Sequence, residues 1–308
     1  MGHNAMDRLD GLNAFVKVGE LGSFSAAAKR LGWSKSAVSK QVAALEERLG
    51  ATLLHRTTRA MSLTEAGTAF LARARALLAE LAEAEAAVAS LSGELQGTLW
   101  VNAPLSFGIR HVAPAVAPFL AAHPKLALEL DLTDRFVDLV EEGYDLALRI
   151  GALADSSLIA RKLAPVRRLL CAAPGYLARA GLPQTPQALA AHACLSYRQE
   201  RRSSAWTLER EGERLQIGVS GPLTTNNGDV LLEAARAGAG IVDLPTFYTC
   251  DDLRDGRLLP VLPEWHPPSL ALYAVYPPNR HLSVKVRRFI DDFAARLGPD
   301  PYWDRVNV

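Results

Sequence analysis

Cysteine is scarce in this chain, and that excludes two chemistries at once. Only Cys171, Cys194 and Cys250 occur among 308 residues. They are odd in number, widely spaced and never in a C-x-x-C pair, so neither a disulfide framework nor a structural metal site is expected. Reduced, partly buried thiols are. Long apolar runs are missing as well: no stretch of 18 or more apolar residues predicts a membrane-spanning helix. Met1–Asp10 lacks the basic start and apolar centre of a secretory signal. These absences predict a cytoplasmic protein with no membrane partner. Enzyme signatures are absent too, with no H-E-x-x-H, G-x-S-x-G or Walker A pattern. His111, His123, His192, His266 and His281 are isolated in sequence, which predicts surface or capping roles. The chain does not read as an enzyme, and no cofactor or metal is expected.

Net charge is also nearly missing, at +1, but its distribution is uneven. Residues 1–66 hold nine Lys/Arg against six Asp/Glu, and between Lys29 and Arg59 the balance is seven to two. Basic charge thus gathers near the N-terminus, as an electrostatic footprint for phosphate requires. A length of 308 residues, 49% apolar and 22% charged, fits two or three globular units with sizeable cores.

Leu9, Leu12, Phe15 and Val16 recur three and four residues apart, the spacing of an amphipathic helix, broken by Gly19 and Gly22. Ser23 is the N-cap candidate for a second helix, Phe24–Leu31, which ends at Gly32. Ser34 opens a third helix that runs to about Leu49 and stops at Gly50. At 100° per residue, Val38, Val42, Leu45 and Leu49 form its buried stripe. Ser36, Lys40 and Ala43 lie opposite, with Ser39 beside them. That side is small, polar and basic, which suits a helix lying in a DNA major groove: it permits close approach and offers donors to base edges and phosphates. A solvated surface would explain the amphipathicity equally well, but not the hairpin that follows. Leu53–Leu63 reads as two short strands around Thr57-Thr58-Arg59, with Arg56 and Arg59 near the tip. Thr64 then caps a new helix.

Residues 22–67, GSFSAAAKRLGWSKSAVSKQVAALEERLGATLLHRTTRAMSLTEAG, resemble the DNA-binding region of LysR-type transcriptional regulators, ungapped over the whole run. The resemblance implies a winged helix-turn-helix that contacts double-stranded DNA. It places Ser34, Lys35, Ser36, Ser39 and Lys40 on the recognition helix, and Arg56, Thr57 and Arg59 on the wing. Many members carry a glutamine where this chain has Lys35, which implies a different base preference or a phosphate contact instead.

From Phe70 onward, Phe70, Ala74, Leu77, Leu81, Ala84, Val88 and Leu91 alternate four and three apart, a heptad seam. A helix packed on its own domain could show the same stripe. The resemblance implies a linker helix that joins two chains, with a tetramer built from such dimers and RNA polymerase as a further partner. Two recognition helices in a symmetric dimer predict an approximately palindromic site. Gly93 and Gly97 end the helix.

Beyond Gly97, strands alternate with helices, as in an α/β sheet covered on its faces. Strands are expected at Leu99–Ala103, Leu126–Leu132, Leu146–Ile150, Leu169–Ala173, Ala193–Tyr197, Ala205–Glu209, Leu215–Ser220 and Gly240–Leu244. Helices are expected at Phe107–Ala122, Val137–Glu142, Asp229–Ala237 and Ser283–Leu297. This half is similar to the effector-binding domain of the same regulators, which implies a two-lobed, periplasmic-binding-protein-like fold of type 2. The run Gly238–Pro245, GAGIVDLP, matches lobe two of one subgroup. Its glycines follow a helix and precede a strand, the reverse of a dinucleotide fingerprint. The whole is α/β, with a DNA-binding domain at 1–65, a linker helix and hinge at 66–97, and an effector domain at 98–308. Strands that end at proline place the lobe crossings near Leu170–Pro174 and Tyr273–Pro277. Lobe one is then 98–172 plus 275–297, and lobe two 173–274.

Ligands of open α/β sheets sit beyond the carboxyl ends of strands and at helix N-termini that favour anions. Ser106, Arg149, Thr225 and Asn226 meet that condition, and Arg198, Ser203 and Ser204 lie on a loop facing the cleft. Ser106 and Asn226 could equally cap helices, and Arg149 could be a structural ion-pair partner. A small-molecule effector, anionic in the simplest case, is the expected ligand. The C-terminal half alone would also suit a solute-binding protein or a sensor without direct DNA regulation; the basic winged helix argues against both.

Overall fold

Serine and glycine set the limits of the first helices. The Ser23 hydroxyl accepts from Ala26 N and the Ser34 hydroxyl from Ala37 N, so each satisfies a free N–H of a first turn. Gly32 and Gly50 stop those helices in left-handed conformations, at φ 67° and 63°. The computed structural model describes residues 5–56, 61–90, 95–151, 157–198, 205–278 and 282–305, with side chains except at 5–7, 56, 79 and 82–90. It divides into two units, Met1–Leu95 and Gln96–Val308.

The first unit contains α1 (Ala5–Leu21), α2 (Phe24–Leu31), α3 (Lys35–Leu49), β1 (Leu54–Arg56), β2 (Met61–Leu63) and α4 (Glu65–Ser90). The strands pair antiparallel, Leu54 opposite Leu63 and Arg56 opposite Met61. Phe15, Val38, Val42, Leu45, Leu53, Leu54, Leu71 and Ala74 fill one core. Each large side chain buried there stabilises the unit by roughly 1.5–3 kcal/mol. Two expectations for buried faces shift at their ends. Leu9 and Leu49 are exposed, because the stripe runs off the packed surface at a helix terminus. The heptad seam also divides. Ala74 is buried and Phe70 partly buried in the unit's own core, whereas Leu77 and Leu81 stand exposed. Ala84, Val88 and Leu91 fall outside the described side chains.

The second unit begins with β3 (Gln96–Ala103), α5 (Leu105–Phe107), a π-helical turn at Gly108–Val112 and α6 (Ala113–Ala122). Leu105–Ala122 is long and apolar enough to cross a membrane by length and composition. It nevertheless carries Arg110, and it buries Phe107, Val112 and Phe119 in the protein. Next come β4 (Lys125–Leu132), β5 (Leu146–Ile150), β6 (Ile159–Val166), β7 (Arg168–Ala172), α7 (Pro174–Ala180) and β8 (Cys194–Tyr197). The chain continues through β9 (Ala205–Arg210), β10 (Glu213–Gly218), β11 (Thr224–Thr225), α8 (Gly228–Arg236), β12 (Ile241–Pro245) and α9 (Thr246–Arg254). It closes with β13 (Leu259–Val261), β14 (Leu270–Tyr276) and α10 (Val284–Leu297). The expected helix at Val137–Glu142 is instead a series of turns. Asp138 Oδ1 takes the N–H groups of Val140 and Glu141, offering the backbone a local alternative to helix.

Two five-stranded sheets form, ordered β4-β3-β5-β14-β6 in lobe one and β11-β8-β12-β7-β13 in lobe two. Strands β3, β4 and β5 are parallel, as are β8, β11 and β12. The reversed strands β14 and β7 are the first to follow each crossing between lobes. This corrects the first boundary. β7 pairs with β12 and β13, so the first crossing falls at Arg167 and not at Leu170–Pro174. Pro174 ends β7 by starting α7, a turn within lobe two. The second crossing precedes Leu270, because all of β14 pairs in lobe one. Gly238–Pro245 lies in lobe two as expected, with β12 at the centre of its sheet. Alternate residues of β7 and β12 feed cores on both faces: Leu170, Ala172 and Ile241 on one, Cys171, Val242 and Leu244 on the other.

Candidate functional site

In the first unit the exposed side of α3 is the candidate DNA face. Val38, Val42 and Leu45 are buried, which turns Ser36, Lys40 and Ala43 outward, with Ser39 half-buried at their edge. Ser34 and Lys35 are exposed at the helix start. The Ser34 hydroxyl lies 3.0 Å from that of Ser36 while it caps Ala37 N, so it holds the helix end. Farther along, Glu46 Oε1 accepts from Leu53 N at 2.8 Å and Leu54 N at 3.1 Å. This carboxylate ties β1 to the helix and explains an acidic residue so near a basic surface. The Arg56 side chain, Thr57 and Arg59 lie outside the described residues.

In the second unit the carboxyl ends of β3, β4 and β5 carry the lobe-one candidates. Ser106 is buried, and its hydroxyl donates to Asp229 Oδ2 at 2.5 Å. Asp229 belongs to α8 of lobe two, so the contact spans the cleft. Arg110, in the π-helical turn, donates to Asp229 Oδ1 from Nε at 3.1 Å and from Nη2 at 2.5 Å. Burial pushes the Asp229 carboxyl upward, but the hydrogen bonds from Ser106 and Arg110 and the Arg110 charge outweigh it and hold the group below its usual range. Arg149 forms a separate centre. Its Nη1 donates to Asn102 Oδ1 at 2.6 Å and to Leu148 O at 3.0 Å, while Nη2 is buried without a hydrogen-bond partner among the described residues. Asn102 is itself fully buried and donates to Asp131 O. Burial draws the Arg149 pKa down, with Tyr144 and Glu142 pulling it up and Arg135 pulling it down.

On lobe two Thr225 is half-buried and Asn226 exposed. The cap of α8 is the next residue: Asn227 Oδ1 accepts from Asp229 N and Val230 N. Arg198 is exposed, and its N–H donates to Thr225 O at 2.7 Å. Ser203 and Ser204 lie outside the described residues. The structure therefore joins Ser106 to Asp229 and Arg198 to Thr225, and seats Arg149 apart from both.

Arg110, Asp229 and Tyr248 were not singled out in the sequence. The Arg110 guanidinium stands 5.6 Å from the centre of the Tyr248 ring. The available signal was an Arg-His pair inside an otherwise apolar helix. The isolated-histidine reading also needs correction at His111, which is buried. A π-helical turn aims neighbouring residues differently from an α-helix, and here Arg110 reaches the cleft while His111 enters an aromatic cluster at the hinge. His111 lies 5.1 Å from the Phe107 ring, 5.5 Å from Phe247 and 4.7 Å from Trp303. Its Nδ1 is 2.5 Å from Tyr302 Oη and its Nε2 3.3 Å from Phe247 O. A carbonyl can only accept, so Nε2 carries the proton. Trp303 and Asp304 reach this hinge from the end of the chain, where the Thr246 hydroxyl donates to Asp304 Oδ1 at 2.5 Å.

Burial lowers the His111 pKa to about 4, against the upward pull of the Phe247 carbonyl and with Arg110 adding to the fall. The unfolded value is near 6.5, so between those limits the unfolded chain takes up a proton that the folded chain refuses. Stability present above pH 6.5 should therefore be lost as pH falls toward about 4, by up to about 3 kcal/mol from this group. Denaturant unfolding from pH 4.5 to 7.5 checks this. His111→Gln should flatten that part of the slope, and an unchanged slope would remove His111 as its source.

Residues 92–298 match the family model of the LysR substrate binding domain, and residues 9–68 that of the bacterial regulatory helix-turn-helix protein, lysR family. The chain is 40% identical to PtxR, an HTH-type transcriptional regulator of Pseudomonas aeruginosa, over 97% of each protein. It is 37% identical to the regulator CrgA of Neisseria meningitidis, over 93% of this chain and 96% of that protein. The solved structure of CrgA covers 96% of this chain and all of its own, with a TM-score of 0.61 and 35% identity. Full-length AphB, a virulence activator of Vibrio cholerae, matches 93% of this chain and 98% of its own at 30% identity, with a TM-score of 0.59. With both halves accounted for and relatives aligned nearly end to end, this chain belongs to the LysR family of HTH-type transcriptional regulators.

Proposed function

We propose that the chain is a ligand-responsive regulator that binds an approximately palindromic promoter site as a dimer joined through α4. Such dimers pair into a tetramer, work in the cytoplasm and act on RNA polymerase. A small-molecule effector enters the cleft between the lobes of the second unit, contacts Ser106, Arg149, Thr225 and Asn226, and changes the spacing of the DNA-binding units. Arg198, Ser203 and Ser204 are further candidate contacts for the effector. On the DNA side the contacts are Ser34, Lys35, Ser36, Ser39 and Lys40 of α3, with Arg56, Thr57 and Arg59 on the wing.

The observation that carries this reading is the exposed, basic, small-residue side of α3 opposite Val38, Val42 and Leu45. The dimer is supported by Leu77 and Leu81, which are 56% and 37% exposed on successive seam positions of α4. Apolar side chains repeated at heptad spacing on an exposed stripe suit a second helix of the same kind.

Genomic fragments retained by the purified chain provide the test. Footprinting should show two protected half-sites about one helical turn apart. Lys40→Ala should weaken binding to specific and random duplexes alike, and reduce the slope of log affinity against log salt by about one. A variant with unaltered salt dependence would show that Lys40 does not face phosphate and that the groove-facing side is misassigned.

A further inference from the structure

Two oxygens of one carboxylate are fully engaged across the cleft. Asp229 Oδ2 accepts from the Ser106 hydroxyl and Oδ1 from two nitrogens of Arg110, at 2.5–3.1 Å. A guanidinium on one oxygen and a hydroxyl on the other is a donor set suited to an organic carboxylate, since the planar fork fixes both charge and orientation. Tyr248 stands beside it, with the Arg110 guanidinium over its ring. The seat is thus a carboxylate receptor by what it already holds.

The cap of α8 does not depend on that carboxylate. Asn227 Oδ1 caps the first turn of α8, at 3.0 Å from Asp229 N and 3.2 Å from Val230 N, so the helix start is satisfied without the Asp229 side chain. The Asp229 side chain is 37% exposed and that of Arg110 32%, so an incoming ligand can reach the pair from solvent. Ser106, in contrast, is 2% exposed, and its hydroxyl becomes available only when Asp229 moves.

We propose that Asp229 is a built-in competitor for the cleft: its carboxylate holds Ser106 and Arg110 in the ligand-free chain, and the effector is a small carboxylate that displaces it. This rests on the reading that the effector binds between the lobes. Displacement breaks a direct ion pair between lobe one and lobe two, so occupancy is read as a change in the relation of the lobes. A tethered competitor acts at high effective concentration, and the apparent affinity for ligand falls by the fraction of time it leaves the seat free.

Calorimetric titration of the full chain with acetate and benzoate, and with acetamide and benzamide as uncharged counterparts, tests the idea. Asp229→Asn keeps the side-chain size and should bind the carboxylates at least tenfold more tightly than the parent, with no gain for the amides. Adding Arg110→Ala to that variant should abolish the binding. Glu233→Gln removes the same charge one turn along α8 from an exposed side chain, and should leave affinity at the parent value. Equal carboxylate affinity in parent and Asp229→Asn, still lost on Arg110→Ala, would overturn the competitor while leaving the cleft as the effector site. The same gain from Glu233→Gln would reduce the effect to general charge and also overturn it. No carboxylate binding to Asp229→Asn would rule out the ligand class, and binding indifferent to Arg110→Ala would place the ligand away from the Ser106–Arg110 seat and overturn the competitor.

Discussion

Arg168→Ala should lower the stability of the second unit by about 3–5 kcal/mol at neutral pH, measured by denaturant unfolding. Arg168 donates through Nε to Asp243 Oδ1 at 3.1 Å and pairs through Nη2 with Oδ2. Asp243 lies in the central strand β12 and is only 8% exposed. Removing the guanidinium leaves Asp243 in the sheet with no cation, so that at neutral pH the acid must either stay ionised unpaired or take up a proton, and both are costly. Replacing both partners by apolar residues, Arg168→Met with Asp243→Leu, should recover most of the loss, because no orphaned charge remains.

The same pair has a pH signature. Burial pushes the Asp243 carboxyl up to about 6, against the pull of Arg168. The folded value lies above the unfolded one, near 3.9. The stability this group contributes is therefore full below about pH 4 and lost as pH rises through about 6. Without Arg168 the folded value climbs further and the group stays protonated, so the deficit of Arg168→Ala should shrink at pH 5 relative to pH 7. A deficit independent of pH would mean that packing of the arginine stem, and not charge, holds the strand.

Gly67→Ala should destabilise the first unit by about 3 kcal/mol and abolish DNA binding at temperatures where the parent binds. A Cβ at this position would stand 2.0 Å from the Leu53 carbonyl oxygen and 2.9 Å from its carbon. Backbone cannot give way as a flexible side chain can. Thr64 ties the start of α4 to this segment, its N–H donating to Leu53 O at 2.9 Å and its hydroxyl to Thr52 O at 2.8 Å. Gly67 N in turn donates to Thr64 Oγ1. An added methyl must separate α4 from β1 and break this junction. Gly175→Ala, where no atom lies within 4 Å of the added carbon, serves as the control and should leave stability within a few tenths of a kcal/mol of the parent or slightly above it. Thermal melting followed by circular dichroism, alongside anisotropy on a DNA duplex, reads both effects. A Gly67→Ala chain as stable as the parent would contradict the packing of α4 on β1.

The limits of the helices in the first unit were legible because they rest on local chemistry. Ser23, Ser34 and Thr64 each offer a hydroxyl to an N–H three residues on, and Gly32 and Gly50 supply the left-handed stop. Neighbours in sequence decide such contacts. Strand β6 was harder to place. β6 is an edge strand exposed over its first half, where the consecutive cations Arg161 and Lys162 interrupt any apolar alternation. The lobe boundary failed for a related reason: proline marks where a strand ends, but not which sheet the strand has joined. Pairing partners decide that, and those of β7 lie some 70 residues and more away, at Val242–Pro245 and Leu259–Val261.

The candidate cleft shows the same division. Ser106 was expected there from its place after a strand, and it is there, yet the structure gives it a partner from 123 residues further along. Asp229 was visible only as the beginning of a helix. No spacing in the sequence connects it to Arg110, because the two meet only when the lobes do. His111 and Trp303 join the hinge across a still longer separation.

By itself the sequence determined the winged helix-turn-helix, its capped helices, the outward side of α3 and the two-lobed class of the second unit. Short-range hydrogen bonds and apolar periodicity specify the capped helices and the outward side of α3, and the resemblance to LysR-type regulators implies the winged and two-lobed forms. Only the tertiary structure decided which strands belong to which lobe, that His111 is buried among aromatic rings, and that Ser106 and Arg110 are held across the cleft by a carboxylate of the chain itself. Those outcomes depend on contacts between residues far apart in sequence, whose geometry no local pattern encodes.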